Sequence, residues 1–317
     1  MTRRKIFFRA DAGAQIGYGH FIRTLALADM LRDDFDCTFF TQSPSEYQQR
    51  EAEEVCPLVA LPSDDSKFEE FIDCLKGEEF VVLDNYFYTS EYQKQIKEKG
   101  CKLVCIDDMH DKHYYADVVI NHGLTDKKLF DIEPYTRLCL GLDYALLRKP
   151  FIQASSTVKN PNSWFISFGG TDYLNLTEKA LQAIHDDPRV DSITVVIGDA
   201  YKYIENLKNY PKATIEKNLT AEEMADVMCK AQYAILPSSS VCIEALACRC
   251  KVAAGFFVSN QQPYHDEWSR NGFILGLGNI AENIHSSIID QLSESSLYVQ
   301  VAFTNIVSKY IEIFKQL

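Results

Sequence analysis

Short runs of apolar and β-branched residues alternate along most of the chain with segments whose apolar positions recur at helical spacing. This alternation is typical of βαβ units and predicts parallel sheets covered by helices. In the first half it predicts strands near Lys5–Arg9, Cys37–Thr41, Phe80–Leu83, Lys102–Ile106 and Asp117–Ile120, and helices near His20–Leu31, Ser45–Glu54, Ser66–Leu75 and Glu91–Lys99.

The pattern restarts in the second half, after a polar segment with two prolines, Lys149–Asn162, which we interpret as a linker. Strands are predicted near Trp164–Phe168, Ser192–Ile197, Ala213–Ile215, Tyr233–Leu236 and Val252–Ala254, and helices near Asn175–His185, Ala221–Cys229, Val241–Ala247, Pro263–Asn271 and Ser296–Gln316. The predicted fold is α/β, with two doubly wound Rossmann-like domains, residues 1–150 and 160–317, facing a cleft. The last helix is expected to pack back on the N-terminal domain.

Charge and cysteine content narrow the function. The formal net charge of −13 disfavours binding to nucleic acid or to an anionic membrane. The ten cysteines include no Cys-x-x-Cys pair, which indicates reduced thiols and a cytoplasmic location. The apolar run near the N-terminus is too short for a signal peptide or a membrane span. We expect a monomer that acts on a small molecule.

The segment after the first predicted strand ends in Gly17-Tyr18-Gly19-His20 and leads directly into a helix. Glycine at these positions lets the backbone approach a ligand closely. The segment does not match the G-x-G-x-x-G fingerprint of dinucleotide-binding sites, since Ile22 occupies the position of the third glycine. His20 is either a catalytic group facing the cleft or the N-terminal cap of a tight turn, and the spacing alone favours neither.

In the second half, Gly169-Gly170-Thr171-Asp172 closes a strand and precedes a helix. The glycines, Thr171 and the helix start suit a diphosphate, whereas the alternative is a glycine turn with Asp172 as helix cap.

Two further motifs follow strands of the second half. Ser238-Ser239-Ser240 opens a helix that carries Glu244 one turn later, an arrangement that suits phosphate oxygens and ribose hydroxyls; the alternative is a Ser240 cap with a solvated Glu244. Asn260-Gln261 offers amides to sugar hydroxyls or acetamido groups, or simply caps a helix.

In the first half, Asp84-Asn85-Tyr86 ends one strand and Asp107-Asp108 follows another. Each set is placed to orient a base or to bind sugar hydroxyls. No cluster has metal-ligand spacing, so we expect neither a metal nor a cofactor.

A family resemblance rests on these motifs taken in order along most of the chain. They are Arg9-Ala10-Asp11-Ala12, Ile16-Gly17-Tyr18-Gly19-His20 with Arg23, Tyr144-Ala145-Leu146-Leu147-Arg148, Gly169-Gly170-Thr171-Asp172, Ser238-Ser239-Ser240 with Glu244-Ala245, and Asn260-Gln261. Together they resemble the UDP-2,4-diacetamido-2,4,6-trideoxy-β-L-altropyranose hydrolases of pseudaminic acid biosynthesis. One departure is Asn85, where relatives can carry His.

The resemblance implies a glycosyltransferase-B-like fold and release of UDP from C1 of the sugar by water, with inversion. It implies that His20 is the catalytic residue, that Asp11 and Tyr86 lie near the sugar, and that Ser239, Ser240, Glu244, Asn260 and Gln261 contact nucleotide or sugar. We expect His20 to act as the general base and Asp11 to orient it or the water. A glycosyltransferase, an epimerase and a non-catalytic sensor of UDP-sugars are the alternatives.

Overall fold

The computed structural model describes residues 3–13, 17–154, 158–297, 303 and 305–317. The chain divides into two compact units, Met1–Lys149 with Thr304–Leu317, and Pro150–Phe303. The division between Lys149 and Pro150 falls at the start of the predicted linker, of which residues 155–157 lie outside the described part.

The first unit is a parallel seven-stranded sheet with strand order β3-β2-β1-β4-β5-β7-β9. Strands β1 and β4 lie side by side in its centre, so that Ala10 pairs with Asp84 at their carboxyl ends. Its elements are β1 (Lys5–Ala10), α1 (Gly19–Leu31), β2 (Asp36–Gln42), α2 (Glu46–Glu53), β3 (Leu58–Leu61), α3 (Ser66–Asp73), β4 (Phe80–Asp84), α4 (Ser90–Glu98), β5 (Lys102–Ile106), β6 (His113–Tyr114), β7 (Val118–Asn121), β8 (Asp131–Ile132) and β9 (Arg137–Leu140), with α5 (Lys149–Ile152) at the boundary.

The second unit is a parallel six-stranded sheet with order β12-β11-β10-β13-β14-β15. Its elements are β10 (Ser163–Ile166), α6 (Leu176–Ile184), β11 (Ser192–Ile197), α7 (Ile204–Leu207), β12 (Ala213–Lys217), α8 (Ala221–Lys230), β13 (Tyr233–Pro237), α9 (Ser240–Ala247), β14 (Lys251–Phe256), α10 (Gln262–Arg270), β15 (Leu275–Asn279), α11 (Ile280–Asn283) and α12 (Ile288–Glu294). In both sheets the strand order reverses beside the first strand of the unit, which is where such folds bind ligands.

The C-terminal helix differs from the prediction. It is α13 (Ile306–Gln316), which begins later than the predicted Ser296; residues 298–302 and 304 lie outside the described part. Its buried face packs against α1 in the first unit, and the ring of Phe314 lies 6.0 Å from those of Phe35 and Phe80.

Candidate active site

His20 lies at the carboxyl edge of the first sheet, between the ends of β1 and β4. It is the second residue of α1, and the helix has Tyr18 as its N-cap with no side-chain capping bond. The histidine side chain is therefore not a cap. It is buried, at 4% exposure, whereas the preceding Tyr18 and Gly19 are exposed.

The partner of His20 is Asp84, the last residue of β4. The Nδ1 atom of His20 lies 2.7 Å from Oδ1 of Asp84. Nη2 of Arg23 lies 3.1 Å from the same nitrogen, but it donates to Asp84 at the shorter distance of 2.6 Å. Because a carboxylate can only accept, we place the imidazole proton on Nδ1, which leaves the lone pair of Nε2 for proton transfer. A buried aspartate that fixes the tautomer and orientation of a histidine supports general-base catalysis by that histidine.

Asp84 is fully buried and is surrounded by donors. Arg23, one turn after His20 on α1, donates from Nε and Nη2 to its two oxygens, each at 2.6 Å, and Thr24 adds a bond of 2.8 Å. Burial raises the pKa of Asp84, but Arg23 and His20 lower it by more, so that the net pKa lies below the ordinary carboxyl value. The Asp84 carboxylate therefore stays ionised near neutrality.

Arg23 and Tyr86 extend this network to a second carboxylate. Nη1 of Arg23 donates to Asp108 at 2.5 Å, and the Tyr86 hydroxyl donates to the other oxygen of Asp108 at 3.3 Å. The ring of Tyr86 stands edge-on to the imidazole of His20, with centroids 4.4 Å apart. These side chains line a recess of about 10 Å³, which is close to the space that one water molecule needs.

In the part of the chain that the structure describes, the Asp11 carboxylate does not bind His20, so the prediction that Asp11 orients the histidine is wrong. The alternative, that Asp11 orients the water, stays a prediction. Its carboxylate is fully buried and makes a two-point ion pair with Arg9. It also accepts from the backbone N–H of Gln42 at 2.8 Å, across the β1–β2 side of the sheet. Asp11 follows β1 in the chain, but its bonds point toward β2, whereas the carboxylate of β4 faces α1.

Asp107 and His122 lie near this network but serve the scaffold. The Asp107 carboxylate accepts from the Tyr114 hydroxyl and the His110 backbone N–H, and burial raises the pKa of Asp107. His122 accepts the Leu146 N–H, and burial together with the nearby Arg23 charge lowers its pKa to about 4. Among the described residues no group of three or more His, Cys, Asp or Glu is arranged to hold a metal ion.

The glycine loop before α1 is closed by a bond from Gly17 N–H to the Gly13 carbonyl at 2.8 Å, while Ile16 lies outside the described part. Gly17 has φ +79°, a left-handed conformation that favours glycine.

In the second unit, Gly169, Gly170 and Thr171 form an exposed loop at the end of β10. Gly169 has φ +83°, and no atom of the described residues lies within 4 Å of a Cβ added at Gly169 or Gly170, so a ligand can approach the backbone there. A Cβ added at Gly198, after β11, would come within 2.5 Å of the Gly170 Cα atom. Sequence reasoning missed Gly198 because its close contact is formed only in the sheet.

The Asp172 side chain caps the start of α6, which is the alternative to diphosphate binding that the sequence left open. Its carboxylate is buried and accepts from the N–H groups of Leu176 and Thr177, each at 2.8 Å. A phosphate at this helix start would compete with a bound carboxylate. The structure thus favours the helix-capping alternative for Asp172, and a contact of Asp172 with the nucleotide stays a prediction.

Ser238, Ser239 and Ser240 connect β13 to α9. Ser239 is the N-cap of α9, and its side chain makes no capping bond within the described ranges. The first N–H groups of a helix lack intrahelical partners, so this helix start offers donors to an anion. Glu244 lies one turn further along α9 and is buried, at 7% exposure.

Asn260 and Gln261 lie in a single turn of 3₁₀ helix, Ser259–Gln261, after β14. The Gln261 side chain accepts the Phe257 N–H at 3.1 Å, which holds the amide at the carboxyl edge of the sheet.

Two residues of the first unit, Arg23 and Thr24, bind the carboxylate that holds His20, a role that the sequence analysis did not assign to them. Arg23 and Thr24 both bind Asp84, and α1 brings them to the same face as His20. The sequence signal for this network is Asp84, the acidic residue that ends the apolar run Phe80–Leu83. The carboxyl end of a central parallel strand lies at the edge of the sheet where such folds bind ligands.

Comparison with known proteins agrees with the motifs. The chain is 29% identical over 280 residues to the UDP-2,4-diacetamido-2,4,6-trideoxy-beta-L-altropyranose hydrolase of Campylobacter jejuni, covering 85% of this chain and 97% of that one. The predicted resemblance is confirmed. An uncharacterized protein of Methanocaldococcus jannaschii is 28% identical over 284 residues, and the match spans 83% of this chain but only 58% of that protein. No protein-family model matches the chain.

Among solved structures, MurG of Acinetobacter baumannii matches with a TM-score of 0.63 at 11% identity, over 99% of this chain and 100% of that one. The glycosyltransferase-B-like α/β fold is confirmed. In the described ranges, no helix has both the length and the apolar character that a bilayer crossing requires.

Proposed function

We propose that the chain is a hydrolase that removes UDP from C1 of a UDP-2,4-diacetamido-2,4,6-trideoxyhexose, with inversion. The observation that carries this proposal is His20 held at Nδ1 by the buried carboxylate of Asp84. Binding alone does not need such a pair. The likeness to the Campylobacter jejuni hydrolase over 85% of the chain supports the choice of substrate class.

In the first step, Nε2 of His20 takes a proton from a water molecule as the water oxygen attacks C1. The bond from C1 to the UDP oxygen breaks, and its electron pair leaves with UDP. Asp84 stabilises the imidazolium that forms, and Arg23 keeps Asp84 ionised. Tyr86 and Asp108 border the same recess and position the attacking water.

Charge that develops on the departing diphosphate is met by backbone donors of the second unit. The start of α9 at Ser240 is the best placed of these, since the side chain of its N-cap Ser239 makes no capping bond among the described residues. The open backbone of Gly169 and Gly170 allows a diphosphate to approach closely. The Asp172 carboxylate is assigned to the start of α6. Glu244 is assigned to the ribose hydroxyls, and Asn260 and Gln261 to the sugar.

The test is UDP release from UDP-2,4-diacetamido-2,4,6-trideoxy-β-L-altropyranose in ¹⁸O water. We expect the label in the sugar, and label in UDP would contradict attack at C1. His20→Gln removes the base and lowers kcat by about two to four orders of magnitude while the Kd for UDP stays within about twofold. His285→Gln, at an exposed histidine of the second unit, is the matched control and leaves turnover unchanged.

Other outcomes would replace the proposal. UDP release that requires an added sugar or lipid acceptor identifies a glycosyltransferase. A product of unchanged mass identifies an epimerase, and binding without UDP release at any enzyme concentration identifies a sensor.

A further inference from the structure

Two neighbouring aromatic rings, one exposed and one partly buried, lie at the carboxyl edge of the second sheet. Tyr173 follows β10 and Phe257 follows β14, and β13 lies between these two strands in the sheet. The ring centroids are 6.1 Å apart at an interplanar angle of 69°. Tyr173 is 58% exposed, whereas Phe257 is partly buried against the core of the unit. The pair therefore forms an apolar surface beside the Ser238–Ser240 loop.

The turn that presents Tyr173 is held in a restricted backbone conformation. Asp172 and Asn175, on either side of Tyr173, have φ of +33° and +53°, values that residues other than glycine adopt infrequently. Asp172 is held by its two bonds to the start of α6, and the Asn175 side chain accepts from the Tyr201 hydroxyl at 2.6 Å. Unusual backbone conformations that are fixed in this way concentrate at ligand-binding sites.

The aromatic surface adjoins the amides that we assign to the sugar. The Phe257 N–H donates to the Gln261 side chain, so one short loop carries both the ring and the amide. A diacetamido-trideoxyhexose has polar amide groups and also three methyl groups, at C6 and on the two acetyl groups. Amides pair with the former, and flat apolar rings pack against the latter.

We propose that Tyr173 and Phe257 form the surface that packs against the methyl-bearing face of the substrate sugar, and that they select 6-deoxy, acetamido-substituted sugars. This inference rests on the proposed function only in taking a UDP-linked deoxysugar as the ligand. A nucleobase also stacks on aromatic rings, and it gives a different result in the test.

The test measures binding by calorimetry, with His20→Gln as the background so that the ligand is not consumed. The two ligands are UDP and UDP-2,4-diacetamido-2,4,6-trideoxy-β-L-altropyranose. Tyr173→Ala is compared with Tyr173→Phe, which keeps the ring, and with Tyr203→Ala, which truncates another tyrosine of the same unit, 36% exposed.

We expect Tyr173→Ala to raise the Kd of the UDP-sugar about tenfold, the effect of losing one apolar contact to a substrate, with the Kd of UDP within about twofold. Tyr173→Phe restores the affinity, and Tyr203→Ala leaves it unchanged. An equal loss for both ligands would assign the rings to the nucleotide and overturn the inference, as would no change for either.

If Tyr173→Ala does not fold, Phe257→Leu, which keeps apolar bulk without a ring, carries the same expectation. The proposed function is tested by a separate measurement: it fails if the unsubstituted protein releases no UDP in ¹⁸O water. The binding comparison stands whether or not that release occurs.

Discussion

Asp84→Asn is the substitution that bears most directly on the site. The amide keeps the shape of the carboxylate but removes its charge and replaces one acceptor with an NH₂ donor. An NH₂ group that faces Nδ1 of His20 favours the other imidazole tautomer, with the proton on Nε2, where it blocks base catalysis. The charge that stabilises the imidazolium is lost as well.

The structure sets the expected magnitudes. Loss of an oriented base lowers kcat by about two to four orders of magnitude. Arg23 is buried and loses a charged partner, but it keeps its bond to Asp108. Breaking a buried ion pair costs about 3–5 kcal/mol of stability. Because Arg23 keeps the Asp108 carboxylate, we expect Asp84→Asn to lower the free energy of unfolding by about 3 kcal/mol.

The assay is UDP release under saturating substrate, with urea unfolding measured in parallel. Thr24→Val is the matched control, because it removes one bond to Asp84 and leaves His20 and Arg23 in place. It is expected to cost about 1 kcal/mol of stability and to keep kcat within about threefold. A folded Asp84→Asn protein with kcat within about threefold of the unsubstituted enzyme would refute the assignment.

The pKa of Asp84 is lowered in the folded state, so the contribution of this carboxylate to stability is complete above about pH 4 and is lost at lower pH.

Two further predictions concern pH and the nucleotide. The pKa of His122 is lowered to about 4, so between about pH 6.5 and 4 the unfolded chain binds a proton that the folded protein does not; stability should fall by about 3 kcal/mol over this window as the pH drops. Urea unfolding of His122→Gln should show a flatter pH dependence, and an unchanged slope would contradict the role of burial. Ser240→Pro removes the first N–H of α9, and the extended Ser239 before it tolerates proline. Its Kd for UDP should rise about tenfold relative to Ser240→Ala, and equal affinities would place the diphosphate elsewhere.

The local pattern of apolar residues was sufficient to predict the central strands of both sheets. The predicted strands near Lys5–Arg9, Phe80–Leu83 and Tyr233–Leu236 match β1, β4 and β13 to within a residue or two, because a central parallel strand is apolar on both faces. The strands that the pattern missed include β3, β9 and β15, which lie at sheet edges, although the edge strand β12 was predicted. An edge strand buries less side-chain surface, as the exposed Val59 and Ala60 of β3 show, and so it lacks a continuous apolar run.

The sequence by itself determined the alternation of strands and helices, the division into two halves and the placement of His20 at the start of a helix after a strand. Tertiary structure decided which carboxylate serves it. Asp11 is nearer in the chain, but strand order places β4 beside β1, and so Asp84 meets α1 while Asp11 pairs with Arg9. Likewise, only the folded turn shows that Asp172 caps α6. The physical reason is that residue spacing encodes local conformation, whereas the partners of a buried charge are set by how distant segments pack.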